Sequence, residues 1–253
     1  LLKKLTSNTW ISIPAALLYA LSPVALASIS SGHIATLVLL IAAPMVALIL
    51  HDWWGIEIYS WRKIFSVSLV LSLLYAFTLM SFIIALVAAI TISVDNYREF
   101  ARTLDKKLFD ERILKRSALV FVPFFVNAPY SLEALVNPSR FLTEPGLLIP
   151  GGGSLPVLLG NPGGAGSVPL WLVSPILLIL AISLFSSTHA RRIAEYGLGA
   201  LTLAVFVGSL SISTHGNEGV AKVWTGPVLS IATLAAVAAG SVAGAGTICW
   251  YCA

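Results

Sequence analysis

The sequence predicts an all-α, polytopic helical membrane protein with about five to seven spans and a long Gly/Pro-rich external loop. Three observations predict it. Of the 253 residues, 58% are hydrophobic and only 10% are charged, against about 25% charged in soluble domains. The apolar residues come in continuous runs rather than in the periodic stripes of a soluble helix, and runs of about 18 or more read as membrane helices. The alternating segments of about 10 residues that mark a membrane barrel are absent.

Residues 10–29 form the first apolar stretch and contain Pro14 and Pro23. Proline removes a backbone donor and kinks a helix, so this segment either crosses with a kink or is re-entrant or interfacial. Residues 33–50, with Pro44, make the next run and end at His51-Asp52-Trp53-Trp54. Residues 64–93 carry no charge and suit either one tilted helix or a tight hairpin. The pattern then breaks. Residues 95–116 hold seven basic and five acidic side chains, with Leu104, Leu108, Phe109 and Leu114 as a partial apolar stripe. At helical spacing this is an amphipathic helix on the membrane surface, or else a solvated linker.

A fourth span is expected over residues 117–135, including Pro123 and Pro129. Residues 137–168 are rich in glycine and proline, with glycine runs at 151–153 and in Gly160-Asn161-Pro162-Gly163-Gly164. Loops this long are usually functional or disordered, and apolar residues at 147–149 and 155–159 predict folding back against the membrane interface. The last spans are expected at 169–185, 196–212 and 228–248; Arg191 and Arg192 lie in the first connection, and His215, Glu218 and Lys222 in the second. Gly240 and Gly244 form a small-xxx-small pair that admits a neighbouring helix.

The charged segment divides the chain into N-terminal membrane helices (1–94), a cytoplasmic charged amphipathic linker (95–116), and C-terminal membrane helices with the external loop (117–253). Lys and Arg accumulate in cytoplasmic loops, which puts 95–116 inside and the loop, with Arg140 alone, outside. Alternation then places Arg191 and Arg192 inside and Lys222 outside. It also puts 52–63 outside, stranding Arg62 and Lys63 there unless 64–93 is a hairpin. The expected location is the plasma membrane, multi-pass, with the lipid bilayer as partner. The chain begins with Leu1 rather than Met and ends at Ala253 just after an apolar run, so it reads as a fragment of a longer protein. Lys3, Lys4, the apolar core at 11–21 and Ala25-Leu26-Ala27 resemble a secretory signal, though without an initiator Met.

The net charge of +4 is explained by basic loops, and no basic stripe with interleaved aromatics points to nucleic acid. Cys249 and Cys252 make a lone C-W-Y-C beside an apolar helix, without the second half of a zinc site. No P-loop and no G-x-S-x-G elbow occur, and His33, His51, His189 and His215 lack metal-ligand spacing. No metal site is expected. Ionisable groups near membrane spans are the default functional candidates, because charge in hydrocarbon is costly. Asp52 and Glu57 flank aromatic residues at a membrane edge, Glu133 follows Pro129, and Glu144 opens the external loop. These four are the candidate substrate-binding residues; the alternative for each is a solvated or snorkelling acid. No catalytic residue is identified.

Five pieces in order resemble the C-terminal membrane region of actinobacterial family 2 glycosyltransferases. They are A-L-L-Y-A-L-S-P-V-A-L-A-S-I-S-S-G-H (16–33), P-F-F-V-N-A-P-Y (123–130), F-L-T-E-P-G-L (141–147), G-N-P-G-G-A-G-S-V-P-L-W (160–171) and V-W-T-G-P (223–227). The resemblance implies a cytoplasmic nucleotide-sugar-dependent catalytic domain upstream of Leu1, and a role in cell-envelope polysaccharide or glycolipid assembly. It implies no cofactor in this fragment and a polyprenyl-phosphate or glycan acceptor as partner. The absence of an Asp-x-Asp pair agrees with a catalytic domain outside the fragment. Two rivals remain: a transporter or flippase, and a structural scaffold for other envelope enzymes.

Overall fold

A computed structural model describes residues 8–51, 59–103, 106–144, 153–164, 170–213 and 220–251. The chain forms two compact units, one from Leu1–Met45 and Gly146–Ala253, the other from Val46–Pro145. Among the described residues, their elements are α-helices except for one small two-stranded ribbon and one 3-10 turn.

The helices begin and end where local chemistry dictates. Helix α1 spans Thr9–Ala20, capped by the Asn8 side chain, with Pro14 inside it. Helix α2 spans Pro23–Ser31; Ser22 caps it by accepting from the Ala25 N–H, and Pro23 sits in the first turn, where its missing donor is no loss. It ends at Gly32, whose φ of +72° closes a Schellman turn: the His33 N–H donates to Ser28 O and the Gly32 N–H to Ile29 O. Helix α3 follows at Ile34–His51. Pro44 inside it cannot donate to the carbonyl of Leu40, and the Tyr19 hydroxyl supplies that bond instead, at 2.8 Å. Pro44 thus frees the acceptor that ties α1 to α3.

Helix α4 spans Trp61–Phe77 with Ser60 as its cap, and α5 spans Met80–Thr103. The uncharged run 64–93 is therefore neither one helix nor separate from the charged segment. It breaks at Thr78 and Leu79, and its second half continues into the charged residues. Helix α6 spans Lys106–Val126 and α7 spans Tyr130–Val136, followed by a 3-10 turn at Pro138–Phe141. The expected surface helix at 95–116 is instead the end of α5 and the start of α6. Its Lys, Arg and Glu residues are good helix formers, and some support one another at helical spacing, as in the Lys115–Glu111 pair at 2.6 Å. The expected span 117–135 is broken at Asn127–Pro129, where Ala128–Pro129 is cis, and its two parts diverge by 98°.

In the Gly/Pro-rich region, α8 is a short helix at Ser154–Leu158. It packs on the helix at Thr188–Ser209 and buries Val157 completely, so this part of the loop folds against protein. Helix α9 spans Leu170–Leu184. Helix α10 spans Thr188–Ser209, capped by Ser187, and so takes in Arg191 and Arg192, which the sequence placed in a connection. Strands β1 (Ser211–Ser213) and β2 (Val220–Lys222) pair antiparallel, Ser211 with Lys222 and Ser213 with Val220, an element that the hydropathy pattern does not predict. Helix α11 spans Gly226–Tyr251.

In the first unit α11 is central, packing against α10, α9, α1 and α2. Ile176, Leu180, Ala194, Ala236 and Ala239 make the shared core of the last three helices. Small residues permit it. A Cβ on Gly197 would lie 2.8 Å from Leu180 Cδ2 and 3.1 Å from Ala235 Cβ, and one on Gly240 would lie 2.6 Å from Ile179 Cγ2. In the second unit Tyr75, Phe82, Val120 and Phe124 form the core, with Phe141 packed against it.

Two stretches are long and apolar enough to cross a membrane, Thr9–Ser31 and Gly226–Ala245, and the bent pair Phe109–Val126 with Tyr130–Val136 would make a third. Among the described residues that is fewer than the five to seven expected from sequence. Among the described residues, shorter apolar helices occur at Ile34–Leu48, Met80–Val94 and Pro175–Leu184, and the run at 64–93 is divided by the break at Thr78 and Leu79.

The packing at Gly197 is testable. Gly197→Val overfills the α9–α10–α11 junction and is expected to cost about 1–3 kcal/mol. At Gly199, two residues further along α10, an added Cβ would meet nothing within 4 Å, and Gly199→Ala is expected to stabilise by about 0.4–1 kcal/mol. Thermal unfolding in detergent should show midpoint shifts of opposite sign.

Candidate functional site

The five pieces of sequence that carry the resemblance lie far apart in the chain, and the structure gathers them into two clusters, one in each unit. In the first unit the junction is built around Trp224. The Schellman turn at Gly32 reverses the chain, so that Ser31, His33 and Thr36 all reach one spot. Trp224 arrives from the other side on the extended segment between β2 and α11, held where the Val223 N–H donates to Leu210 O. Its indole Nε1–H donates to Thr36 Oγ1 at 2.9 Å, and its ring stacks on that of His33 with centroids 3.7 Å apart and planes 11° from parallel. Trp224, His33, Thr36 and Ser31 are all buried.

The Gly-rich loop closes this junction. Asn161 Oδ1 accepts from the Gly163 N–H at 3.0 Å, forming a tight turn that brings Gly164 against Ser31. Gly164 has φ +101°, and a Cβ there would collide with Ser31 Oγ and meet the Trp224 ring at 3.6 Å. Gly226 is equally constrained, since its Cβ would overlap Trp224 Nε1 and lie 2.9 Å from Thr36 Cγ2. Both glycines are required by close approach, and Gly164 also by its backbone conformation.

In the second unit the cluster forms around Phe124 and Asn127. The Asn127 amide donates both hydrogens, to Ser72 O at 2.9 Å and to Pro123 O at 2.8 Å, which pins the end of α6 to α4. Ser131 Oγ donates to Phe124 O at 2.5 Å, satisfying a carbonyl left over where α6 ends. Phe82 lies 4.6 Å from Phe124, centroid to centroid, and Phe141 stacks on Phe124 at 13° between planes.

Comparison with protein-family models, with curated proteins and with solved structures finds no match to this chain.

The four acids proposed from sequence fare differently. Asp52 and Glu57 lie outside the described residues. Glu133, on α7, pairs with Arg140 Nη2 at 2.6 Å, each about half-exposed; the pair fastens α7 to the 3-10 turn after it. Glu144 is half-buried at the end of the described part of this unit. Among the described residues no group of three or more His, Cys, Asp or Glu side chains could hold a metal ion. Cys252 is outside the described residues, and Cys249 belongs to the backbone of α11.

Among the described residues, neither cluster presents an ionised group or nucleophile to a cavity. Their chemistry is that of fastening: each satisfies freed backbone or indole groups and fixes a loop or corner. In sequence His33 is one of four scattered histidines, and its pairing with Trp224 goes unseen. The available signal was glycine beside a ring residue in S-G-H and V-W-T-G-P, and the glycine pair of P-G-G.

Thr36→Val removes the acceptor of a buried indole N–H and is expected to destabilise the chain by about 1–3 kcal/mol. Trp224→Phe in the same background should then cost less than it does alone, because the orphaned donor goes with it. A double-mutant cycle of thermal stability in detergent measures the coupling.

Proposed function

We propose that this chain is the membrane domain of a cell-envelope glycosyltransferase, anchoring a catalytic domain encoded upstream and acting in polysaccharide or glycolipid assembly. The observation that supports it is the convergence just described. Three of the five resembling pieces meet at Trp224, and the other two meet at Phe124 and Phe141. Residues in such pieces behave as parts of packed junctions, which is what an inherited architectural set requires and what chance matches along an apolar chain do not require.

In this reading the chain is a multi-pass protein of the plasma membrane with about five to seven crossings. The two long apolar stretches and the bent pair supply three, and the shorter apolar helices supply the rest. Short helices are accommodated by local thinning of the bilayer or by snorkelling of flanking residues. The charged ends of α5 and α6 face the cytoplasm by the positive-inside tendency. A turn at Thr78 and Leu79 would bring Arg62 and Lys63 to that same side, removing the charge conflict that one long span would create. The acceptor, a polyprenyl phosphate or a glycan, would be handled on the outer side, where the Gly/Pro-rich region falls.

The test is the reading frame upstream of Leu1 at the source locus, followed by activity. The expected result is a nucleotide-sugar-binding α/β domain with an Asp-x-Asp motif, and transfer of labelled sugar to lipid or glycan by membranes containing the full-length protein. A start codon close to Leu1 with no such domain, or membranes that never transfer sugar, would overturn the proposal. Substrate flux in proteoliposomes would then favour a transporter.

A further inference from the structure

In the second unit the charges collect at one end of the helices. Helices α5 and α6 run antiparallel, since Phe82 meets Phe124 near one end and Phe100 meets Phe109 at the other, with centroids 4.6 and 4.8 Å apart. Helix α4 packs on α6 and brings its C-terminal half to the Phe82–Phe124 end, where Asn127 donates to Ser72 O. Residues 64–94 and 117–132 contain no charge. Arg62 and Lys63 on α4, the charges after Val94 on α5 and those before Ser117 on α6 therefore lie away from that end.

The uncharged arms are short. Residues 64–77 of α4 and 80–94 of α5 rise by about 21–23 Å, less than a hydrocarbon core of about 30 Å. A turn left within hydrocarbon needs other partners for its backbone groups. Here protein covers it. Thr78, Leu79, Met80 and Ser81 are all buried, and Phe141, at the end of the 3-10 turn, stacks on Phe82 and Phe124.

Helix α7 leads into that cover. It leaves α6 at 98°, and the corner is held by the Ser131 bond to Phe124 O and by the two Asn127 bonds. A helix lying crosswise is about 10–12 Å thick with its side chains, which makes up the missing depth. Ser131 and Ala134 are buried, whereas Leu132, Leu135 and Val136 are exposed. At helical spacing the three exposed apolar residues share one flank, and Tyr130 and Glu133 share the other. Phe121, Phe125 and Val126 near the end of α6 are exposed as well, so apolar surface runs from α6 onto α7. The charged residues of 130–141 are Glu133 and Arg140; they pair with each other, which leaves the segment without net charge.

We propose that α7 and the 3-10 turn lie in the plane of the outer interface of the bilayer. Leu132, Leu135 and Val136 dock on the acyl region of neutral phospholipids, and the Glu133–Arg140 pair sits at headgroup level. An apolar flank beside a polar one suits a helix at that boundary, and a segment without net charge has no need of anionic lipid. The proposal rests on the membrane reading above but not on the glycosyltransferase assignment.

The experiment places single cysteines in the 253-residue chain after Cys249→Ser and Cys252→Ser, labels them with a nitroxide and reconstitutes the chain into phosphatidylcholine vesicles. Depth is read from collisions with oxygen, which concentrates in lipid, against those with a nickel chelate, which stays in water. Leu132→Cys, Leu135→Cys and Val136→Cys are expected at one common depth, about 5–10 Å into the headgroup–acyl boundary. Leu69→Cys and Leu73→Cys on α4 should differ in depth by about 6 Å, the rise of four helical residues. All of these positions are exposed, so the labels leave the packing intact. Adding phosphatidylglycerol to the vesicles should leave the depths on α7 unchanged. A steady change of about 6 Å from Leu132 to Val136 makes α7 part of a crossing helix and overturns the proposal. Nickel access equal to that of bulk water also overturns it, as does shielding from both reagents, which marks a protein partner or a second copy in place of lipid. A depth that follows the phosphatidylglycerol content overturns the neutral-lipid assignment. A chain stripped from vesicles by alkaline carbonate overturns the membrane reading and the proposal together, whereas an inserted chain with α7 at another depth overturns the proposal alone.

Discussion

The hydrogen bond that the Trp224 indole donates to Thr36 joins residues 188 positions apart, and much of the first unit is arranged to make it possible. In a chain this apolar, one helix face is chemically much like another, and hydrophobic burial alone does not select a partner. A buried indole N–H does, because leaving it unmade costs about 1–3 kcal/mol. Forming it requires the Schellman turn that turns α2 into α3, the β-ribbon that delivers Trp224, and glycines at 164 and 226, where a Cβ would clash with Ser31 and with the indole respectively. The stacked His33 ring and the Gly-rich loop then cover what the hydrogen bond has placed.

The same logic recurs wherever the backbone is interrupted. Pro44 deprives the Leu40 carbonyl of its helical donor, and Tyr19 replaces it. The end of α6 leaves Phe124 O over, and Ser131 donates to it. Asn127 commits both amide hydrogens to carbonyls of two helices. Where water is scarce, every freed backbone group needs an internal partner, so each break in a helix becomes a point of attachment. Breaks, and not the apolar runs themselves, carry the information that fixes these units.

This explains what was legible in the sequence. Helical class followed from the unbroken apolar runs, and the last three helices lie close to their expected places because their neighbours impose no interruption within them. A break within 64–93 was one of the two readings the uncharged run allowed, though its place at Thr78 and Leu79 was not legible; nor was the continuation of the helix past Asp95, where hydropathy changes but helix propensity does not. Among the described residues fewer stretches are long enough to span than the runs suggested, and at 64–93 the reason is the break at Thr78 and Leu79, to which a run's composition is indifferent. The Trp224 junction was invisible because its members are individually ordinary; what makes them a set is proximity in space across nearly the whole length of the chain. Of the four acids singled out, Glu133 has a structural partner in Arg140, a contact that their separation along the chain did not suggest.

The charged ends of α5 and α6 follow from a constraint on where helices can stop. Each terminus leaves four backbone groups unsatisfied, and in hydrocarbon each costs several kcal/mol. A helix that leaves an apolar layer gains by continuing until its end is in water, with side chains to match. Residues 95–116 provide those side chains, and ion pairs such as Lys115–Glu111 together with the Phe100–Phe109 stack hold the continued helices. A separate surface helix would instead require two further termini at the interface, each needing its own caps. Extending two existing helices is the lower-energy solution.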